Sequence, residues 1–298
     1  MTFDSADYAL SPDVLQDRFV RRILPQLTPA PSENPTAIVL GAQPGAGKTV
    51  ALDHLLRAQA APFVALFADD FRSAHPAYDA LMATQPQNMP AATSQASGAW
   101  LHMAIEHGIE NRWNIAWETT FRSTKALAAD LTTAAAAGYR VEVTALAVPR
   151  AESLLRTVER CINQGPAGRV VHVEDHDGPY HQAPKTLDRL AQINNVGLSV
   201  VDTDLTQLYP GQFPSAVAAL KAGRALTPDA KADIARRSTS AKQQLSGRDQ
   251  RATVAPLRNS LSVVRRAIGE GTARPNPTAT AGAPTPSPTR SRGPRPGL

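Results

Sequence analysis

The stretch Ala37-Ile38-Val39-Leu40-Gly41-Ala42-Gln43-Pro44-Gly45-Ala46-Gly47-Lys48-Thr49-Val50-Ala51-Leu52 decides the fold. Its first four residues are an apolar run of the kind that forms a buried parallel strand, and Val50 to Leu56 reads as a helix. A glycine-rich turn between strand and helix N-terminus is a phosphate cradle. Gly45 and Gly47 let the backbone turn its N–H groups inward as an anion nest. At this spacing Lys48 is placed to reach the β- and γ-phosphates of a nucleotide, and the Thr49 hydroxyl to bind Mg²⁺. The expected ligand is therefore ATP or GTP, held by Gln43, Pro44, Gly45, Ala46, Gly47, Lys48 and Thr49. The strict G-x-x-x-x-G-K-[ST] pattern asks for glycine at position 42; Ala42 stands there, with Gly41 one place earlier. An ordinary strand-to-helix turn would leave Lys-Thr at this spacing unexplained.

At 298 residues the chain can hold one large α/β domain with appendages. A single cysteine, Cys161, excludes an internal disulfide, and no run approaches the roughly 18 apolar residues of a membrane span. Residues 1–7 offer no basic segment leading into an apolar run, so a soluble, cytoplasmic protein is expected. The formal charge of +5 does not point to nucleic acid: Arg274, Arg290, Arg292 and Arg295 lie beyond Glu270, where no acid accompanies them, leaving the rest at +1.

Outward from the loop, Ser11-Pro12-Asp13 offers an N-cap and a first-turn proline for a helix ending near Pro25. After the strand over 36–40 and the helix over 48–58, the apolar run Phe63 to Phe67 predicts a second strand that stops at Asp69-Asp70. Helical material near 98–110 precedes a third strand, Trp113 to Trp117, delivering Glu118-Thr119-Thr120. A helix from Ser123, closed by Gly138, leads to a strand over 141–148, a helix over 151–163, and a last strand over 198–201. Alternating strands and helices predict a parallel sheet with helices on its faces, whose strand ends carry the site. Beyond Pro214 alanine-rich helical stretches begin at Thr227-Pro228 and cover about 248–269. The expected organisation is a P-loop kinase-like domain over 1–213, appended helices over 214–270, and a disordered Pro/Thr/Arg tail over 271–298.

A kinase needs a base for the acceptor hydroxyl, cations for the transferring phosphoryl group, and an acceptor pocket. Asp69 and Asp70, at a strand end beside the loop, are candidates to accept the proton or orient Mg²⁺; the plainer alternative is a helix N-cap pair. Glu118, with Thr120 and Arg122 behind it, makes a second wall. Arg160 and Arg169 are candidate clamps on the γ-phosphate, although an isolated arginine is most often a solvated surface residue. His75, His172 and His176 do not have metal-ligand spacing.

Several blocks together resemble the zeta toxin family, P-loop kinases of bacterial toxin–antitoxin systems. The blocks are Gly41 to Thr49, Asp69 with His75-Pro76-Ala77-Tyr78-Asp79, Asn114 to Arg122, Ala147-Val148-Pro149-Arg150 with Thr157-Val158-Glu159-Arg160, Arg169, and His176-Asp177. They keep one order over about residues 10–210. The resemblance implies ATP- or GTP-dependent phosphorylation of UDP-N-acetylglucosamine at its 3′-hydroxyl. It implies Asp69 as general base, Lys48 and Thr49 as nucleotide and Mg²⁺ contacts, Arg160 and Arg169 as phosphate clamps, and Glu118, Thr120 and Arg122 as the sugar-nucleotide pocket. It also implies a small helical antitoxin as partner. Thr119 and Phe121 stand where the family carries glycines, which predicts added bulk beside the substrate. His102 occupies the place of a family acidic residue, with Glu106 one turn on.

Two other readings compete with that one. The same chemistry on another nucleotide-like metabolite or an antibiotic is favoured by Thr119 and Phe121. A nucleic-acid-binding P-loop protein using the basic tail is the weakest, because the remainder is nearly neutral. Because the tail has no apolar content to bury, deleting residues 271–298 is expected to leave melting temperature and turnover unchanged. A large fall in either would mean that the tail docks on the domain.

Overall fold

A computed structural model describes residues 3–165, 168–246 and 251–270. Six strands form one sheet in the order β2-β3-β1-β4-β5-β6: β1 Thr36–Gly41, β2 Val64–Leu66, β3 Ile115–Thr119, β4 Arg140–Leu146, β5 Val196–Val201 and β6 Gln207–Tyr209. The first five are parallel. β6 runs antiparallel to β5 at the edge and was not expected from the sequence. β1 is buried along its whole length at the sheet's centre, which is why it reads as an uninterrupted apolar run.

The helices follow in chain order. α1, Pro12–Arg18, continues through a π-helical turn, Phe19–Ile23, and a 3-10 turn, Leu24–Gln26, ending where Pro25 predicts. Then come α2 Lys48–Arg57, α3 Tyr78–Thr84, α4 Met89–Ala92, α5 Ser94–Glu110 and α6 Thr124–Ala136. Next are α7 Arg150–Asn163, α8 Val173–Leu190, α9 Ala216–Gly223, α10 Pro228–Ser246 and α11 Arg251–Glu270. The Ser123 hydroxyl caps α6 by accepting from Ala126 N, as its position predicts.

α8 escaped the sequence reading because it contains Pro179 and Pro184. A proline inside a helix leaves the carbonyl four residues earlier without its donor. For Pro184 that carbonyl is Tyr180, and Arg224 Nη1 donates to it at 2.9 Å. A side chain from beyond α9 thus repairs the helix that the proline interrupts.

The region expected as an appendage divides in two. α9 packs on the sheet, with Ala216, Ala219 and Leu220 in the same buried cluster as the sheet's core. α10 and α11 instead share a second cluster with α7, built from Leu154, Leu155, Val158, Leu245, Leu257 and Val264. The 271–298 tail lies outside the described residues.

Phe121 corrects the expectation of bulk beside the substrate. Its backbone is left-handed, φ 60°, at a position where the resembling family has glycine. Its side chain is 1% exposed and turned into the core. The ring lies on Gly41, where an added Cβ would fall 1.8 Å from Cζ. Gly41, one place before the strict pattern's glycine, is therefore the residue that admits the ring. Gly41→Ala is expected to destabilise by about 3 kcal/mol through overpacking. Phe121→Ala should cost about 3–5 kcal/mol, and in its background Gly41→Ala should cost little. Equal costs in both backgrounds, measured by denaturant unfolding, would show that ring and glycine are not coupled.

Candidate active site

The ends of β1, β2 and β3 lie side by side at the carboxyl edge of the sheet, where ligands bind in open parallel α/β folds. From β1 the loop turns into α2 through Gly45, φ 76°. A Cβ there would meet Ser153 O at 2.0 Å and Thr157 Cγ2 at 2.8 Å, so α7 lies directly against the loop and only glycine fits.

Gln43 departs from its expected part in the cradle. Its side chain is fully buried, donating to Val148 O and Ser153 Oγ at 3.0 Å each and accepting from Arg224 Nη2 at 3.3 Å. Only its backbone is left for a ligand. Behind it, Ser153 Oγ lies 2.8 Å from His176 Nε2, and His176 Nδ1 lies 2.9 Å from Asp177 Oδ1. Arg150 grips Asp177 in a fork, at 2.8 Å from Nε and 2.5 Å from Nη2. The carboxylate assigns the ring proton to Nδ1, leaving Nε2 to accept from the serine. Burial lowers the His176 pKa despite Asp177, so the ring is neutral. Ser, His and Asp here resemble a hydrolytic triad, but Ser153 and His176 are 0% exposed, which excludes attack on a substrate. The group braces the loop.

Lys48 Nζ donates to Ala42 O at 3.0 Å and Gln43 O at 3.3 Å. Burial, aided by the charges of Arg160 and Arg169, lowers its pKa to about 8 against the pull of Glu118 and Asp69. Lys48 thus lies within electrostatic reach of Glu118, Asp69, Arg160 and Arg169. Arg169 Nη1 is 3.7 Å from Asp69 Oδ2. Arg160 is exposed on the loop side of α7.

Asp69 makes no capping bond, which removes the N-cap alternative for it. It accepts instead from Arg72 Nε at 2.7 Å. Burial alone would raise its pKa, but the Arg72 hydrogen bond and the charges of Arg72, Arg169 and Arg160 together hold it below the usual carboxylate range. Asp70 moves the other way, raised by burial and then by its charged neighbour. Arg72 is nearly buried and donates through Nη1 to Pro90 O and Thr93 Oγ1, both at 2.7 Å. The sequence reading missed it, although the Asp69-x-x-Arg72 spacing was there to be read.

The Glu118 pKa is raised, first by burial and then by Asp69 and Asp70, while Thr49 and Lys48 pull it down. Its Oε1 is buried and has no hydrogen-bond partner. A buried, unsatisfied carboxylate oxygen beside the Thr49 hydroxyl fits a divalent cation, and two protein oxygens suit Mg²⁺, which keeps several waters. Thr120 is half-buried in the turn after β3. Arg122 pairs with Asp175 at 3.3 Å, largely exposed, and Asp175 in turn lies within electrostatic reach of Arg169. His102 pairs with Glu106 at 3.2 Å and with Asp130 on α6 at 3.0 Å.

The zeta toxin family model matches residues 21–212. This chain belongs to the zeta toxin family. It is 29% identical over 128 residues to Toxin zeta of Enterococcus hirae, and equally to that of Streptococcus pyogenes. Each alignment covers 43% of this chain and 45% of the relative, so the match spans less than half of those proteins. A solved structure from the PezAT chromosomal toxin–antitoxin system of Streptococcus pneumoniae superposes with a TM-score of 0.67 at 19% identity, covering 82% of this chain and 100% of that one. The P-loop kinase-like fold is shared with it.

Asp69→Asn is expected to lower turnover by about 10²–10⁴ with little change in nucleotide affinity, and Asp70→Asn far less. A larger loss at Asp70 would move the base by one residue. Lys48 carries its charge below about pH 8 and loses it above. kcat/KM for nucleotide should therefore fall above that pH, while kcat holds further, because bound phosphates keep Lys48 protonated. A flat kcat/KM through pH 9.5 would contradict the assignment.

Proposed function

We propose that the protein is a kinase that moves the γ-phosphoryl group of ATP or GTP to the 3′-hydroxyl of UDP-N-acetylglucosamine, acting in the cytoplasm as the toxin of a toxin–antitoxin pair. What supports this reading is the loop with Lys48 bonded across it, Asp69 and Glu118 at the carboxyl edge of the neighbouring strands, and Arg169 3.7 Å from Asp69, with Arg160 within electrostatic reach of Lys48. The acceptor oxygen bonds to the γ-phosphorus as the bridge to the β-phosphate breaks, and the acceptor proton passes to Asp69. The depressed pKa of Asp69 suits a late transfer, since a loose transition state asks for orientation of the hydroxyl more than for a strong base. Arg160 and Arg169 offset the charge spreading over the equatorial oxygens, and Lys48 the charge on the β–γ bridge. Thr49 and Glu118 would hold Mg²⁺, which when bound would supply neutralisation of the charge on the transferring phosphoryl group.

A small helical antitoxin that covers the nucleotide site would hold the activity in check. Among the described residues no helix is long and apolar enough to cross a membrane. A second reading keeps the chemistry and changes the acceptor. It is favoured by His102, which stands where the family carries an acidic residue and is tied to Glu106 and Asp130.

The test is product analysis by mass spectrometry with Mg²⁺, γ-labelled ATP and UDP-N-acetylglucosamine. Wild type should yield a phospho-sugar and Lys48→Ala none, with similar melting temperatures. Nucleotide turnover on a mixed metabolite pool, without phospho-sugar, would promote the second reading; turnover by Lys48→Ala would remove the kinase reading altogether.

A further inference from the structure

α7 presents two faces with different work. Ser153, Arg156, Thr157 and Arg160, at helical spacing, line the side toward the loop. Ser153 and Thr157 press on Gly45, and Arg156 Nη1 lies 3.7 Å from where a Cβ on Gly47 would stand. Gly47 is exposed and precedes Lys48 at the N-terminus of α2, in the stretch of loop that faces phosphate. Glu152, one turn before Arg156 at the edge of that face, accepts from Arg156 Nε at 2.6 Å. That bond turns the Nη edge of the guanidinium to the loop.

Glu152 is itself held from α10. Arg237 Nη1 donates to Glu152 Oε1 at 2.9 Å and Oε2 at 3.0 Å. The same guanidinium forks onto Glu159, at 2.9 Å from Nε and 2.5 Å from Nη2, and reaches Asp233 at 3.2 Å. Arg237 lies beyond residue 212, where the family model ends. A continuous chain of charge-assisted bonds thus runs from α10 through Glu152 to Arg156, whose Nη1 stands beside the loop.

We propose that Arg156 contacts the nucleotide phosphates at the Gly47 corner of the loop, and that Arg237 is its positioning residue, acting through Glu152. The inference rests on the reading that the loop binds nucleotide. It makes α10 part of the nucleotide site as well as cover for a hydrophobic face. Two chemistries suit Arg156 to this place: its fork matches phosphate oxygens, and its charge persists at every working pH. One anchored nitrogen also reduces the rotamer freedom lost on binding.

The experiment is titration of the full-length protein with Mg–ATP, alongside thermal melting. Arg156→Ala should weaken affinity about tenfold or more, the size of one charge-assisted hydrogen bond. Arg237→Met, which keeps the packing stem, and Glu152→Gln, which keeps volume, should each weaken it several-fold. Neither should weaken it further in the Arg156→Ala background, and Arg237→Lys should fall between wild type and Arg237→Met. Should Arg237→Met fail to fold, Glu152→Gln decides. Wild-type affinity in Arg156→Ala, or an undiminished loss from Glu152→Gln in its background, would overturn the inference. Lys48→Ala separates the two levels: if it binds Mg–ATP as wild type does, the nucleotide reading fails. If it loses affinity while Arg156→Ala does not, only the role of Arg156 fails.

Discussion

The buried amide of Gln43 ties together the loop, the end of β4, α7, and the segment after α9. An anion-binding loop must leave its N–H groups turned toward the ligand, so it cannot use them to hold its own shape. Shape has to come from side chains and from close packing. Gln43 supplies the first and the seat of Gly45 against Ser153 the second. Each buried polar group left unpaired there would cost about 1–3 kcal/mol. The geometry of the loop therefore depends on where α7 sits. α7 in turn is fixed by His176, Asp177 and Arg150 on one side and by α10 and α11 on the other.

That dependence explains which features were legible in the sequence. β1, the loop and α2 are local: an apolar run, two glycines and Lys-Thr follow one another, and each element is decided by its own residues. The carboxylates at the ends of β2 and β3 were also legible, because a parallel sheet places strand ends together whatever the helices do. Phe121 was legible as a departure but not as a core residue. The direction of its ring depends on Gly41, a strand neighbour far upstream, and the left-handed backbone that aims it has no signature for phenylalanine. α8 was hidden because the donor that offsets Pro184 is Arg224, outside the helix. The braces on Gln43 and the Arg237 fork link residues scores of positions apart, and a single sequence carries no trace of such pairings. Arg72 is the exception: three residues from Asp69, it was readable and was passed over.

The charges at the site are balanced in a way that narrows what can bind. Lys48, Arg160, Arg169 and Arg72 face Asp69, Asp70 and Glu118 across a short distance, and burial acts against every charge that it touches. It lowers Lys48 and raises Glu118, so each is poised to become more fully charged when an opposite partner arrives. A phosphate chain restores the charge of the lysine, and a divalent cation that of the glutamate. A ligand bringing both at once gains from each, which is the description of a nucleotide with its metal. A nucleic acid backbone would gain from the cations alone and would meet Asp69, Asp70 and Glu118 without compensation. Under the proposed function, the acids between the cations, more than the near-neutral charge of the domain, are what would favour a small metal-bearing polyphosphate over a polymer.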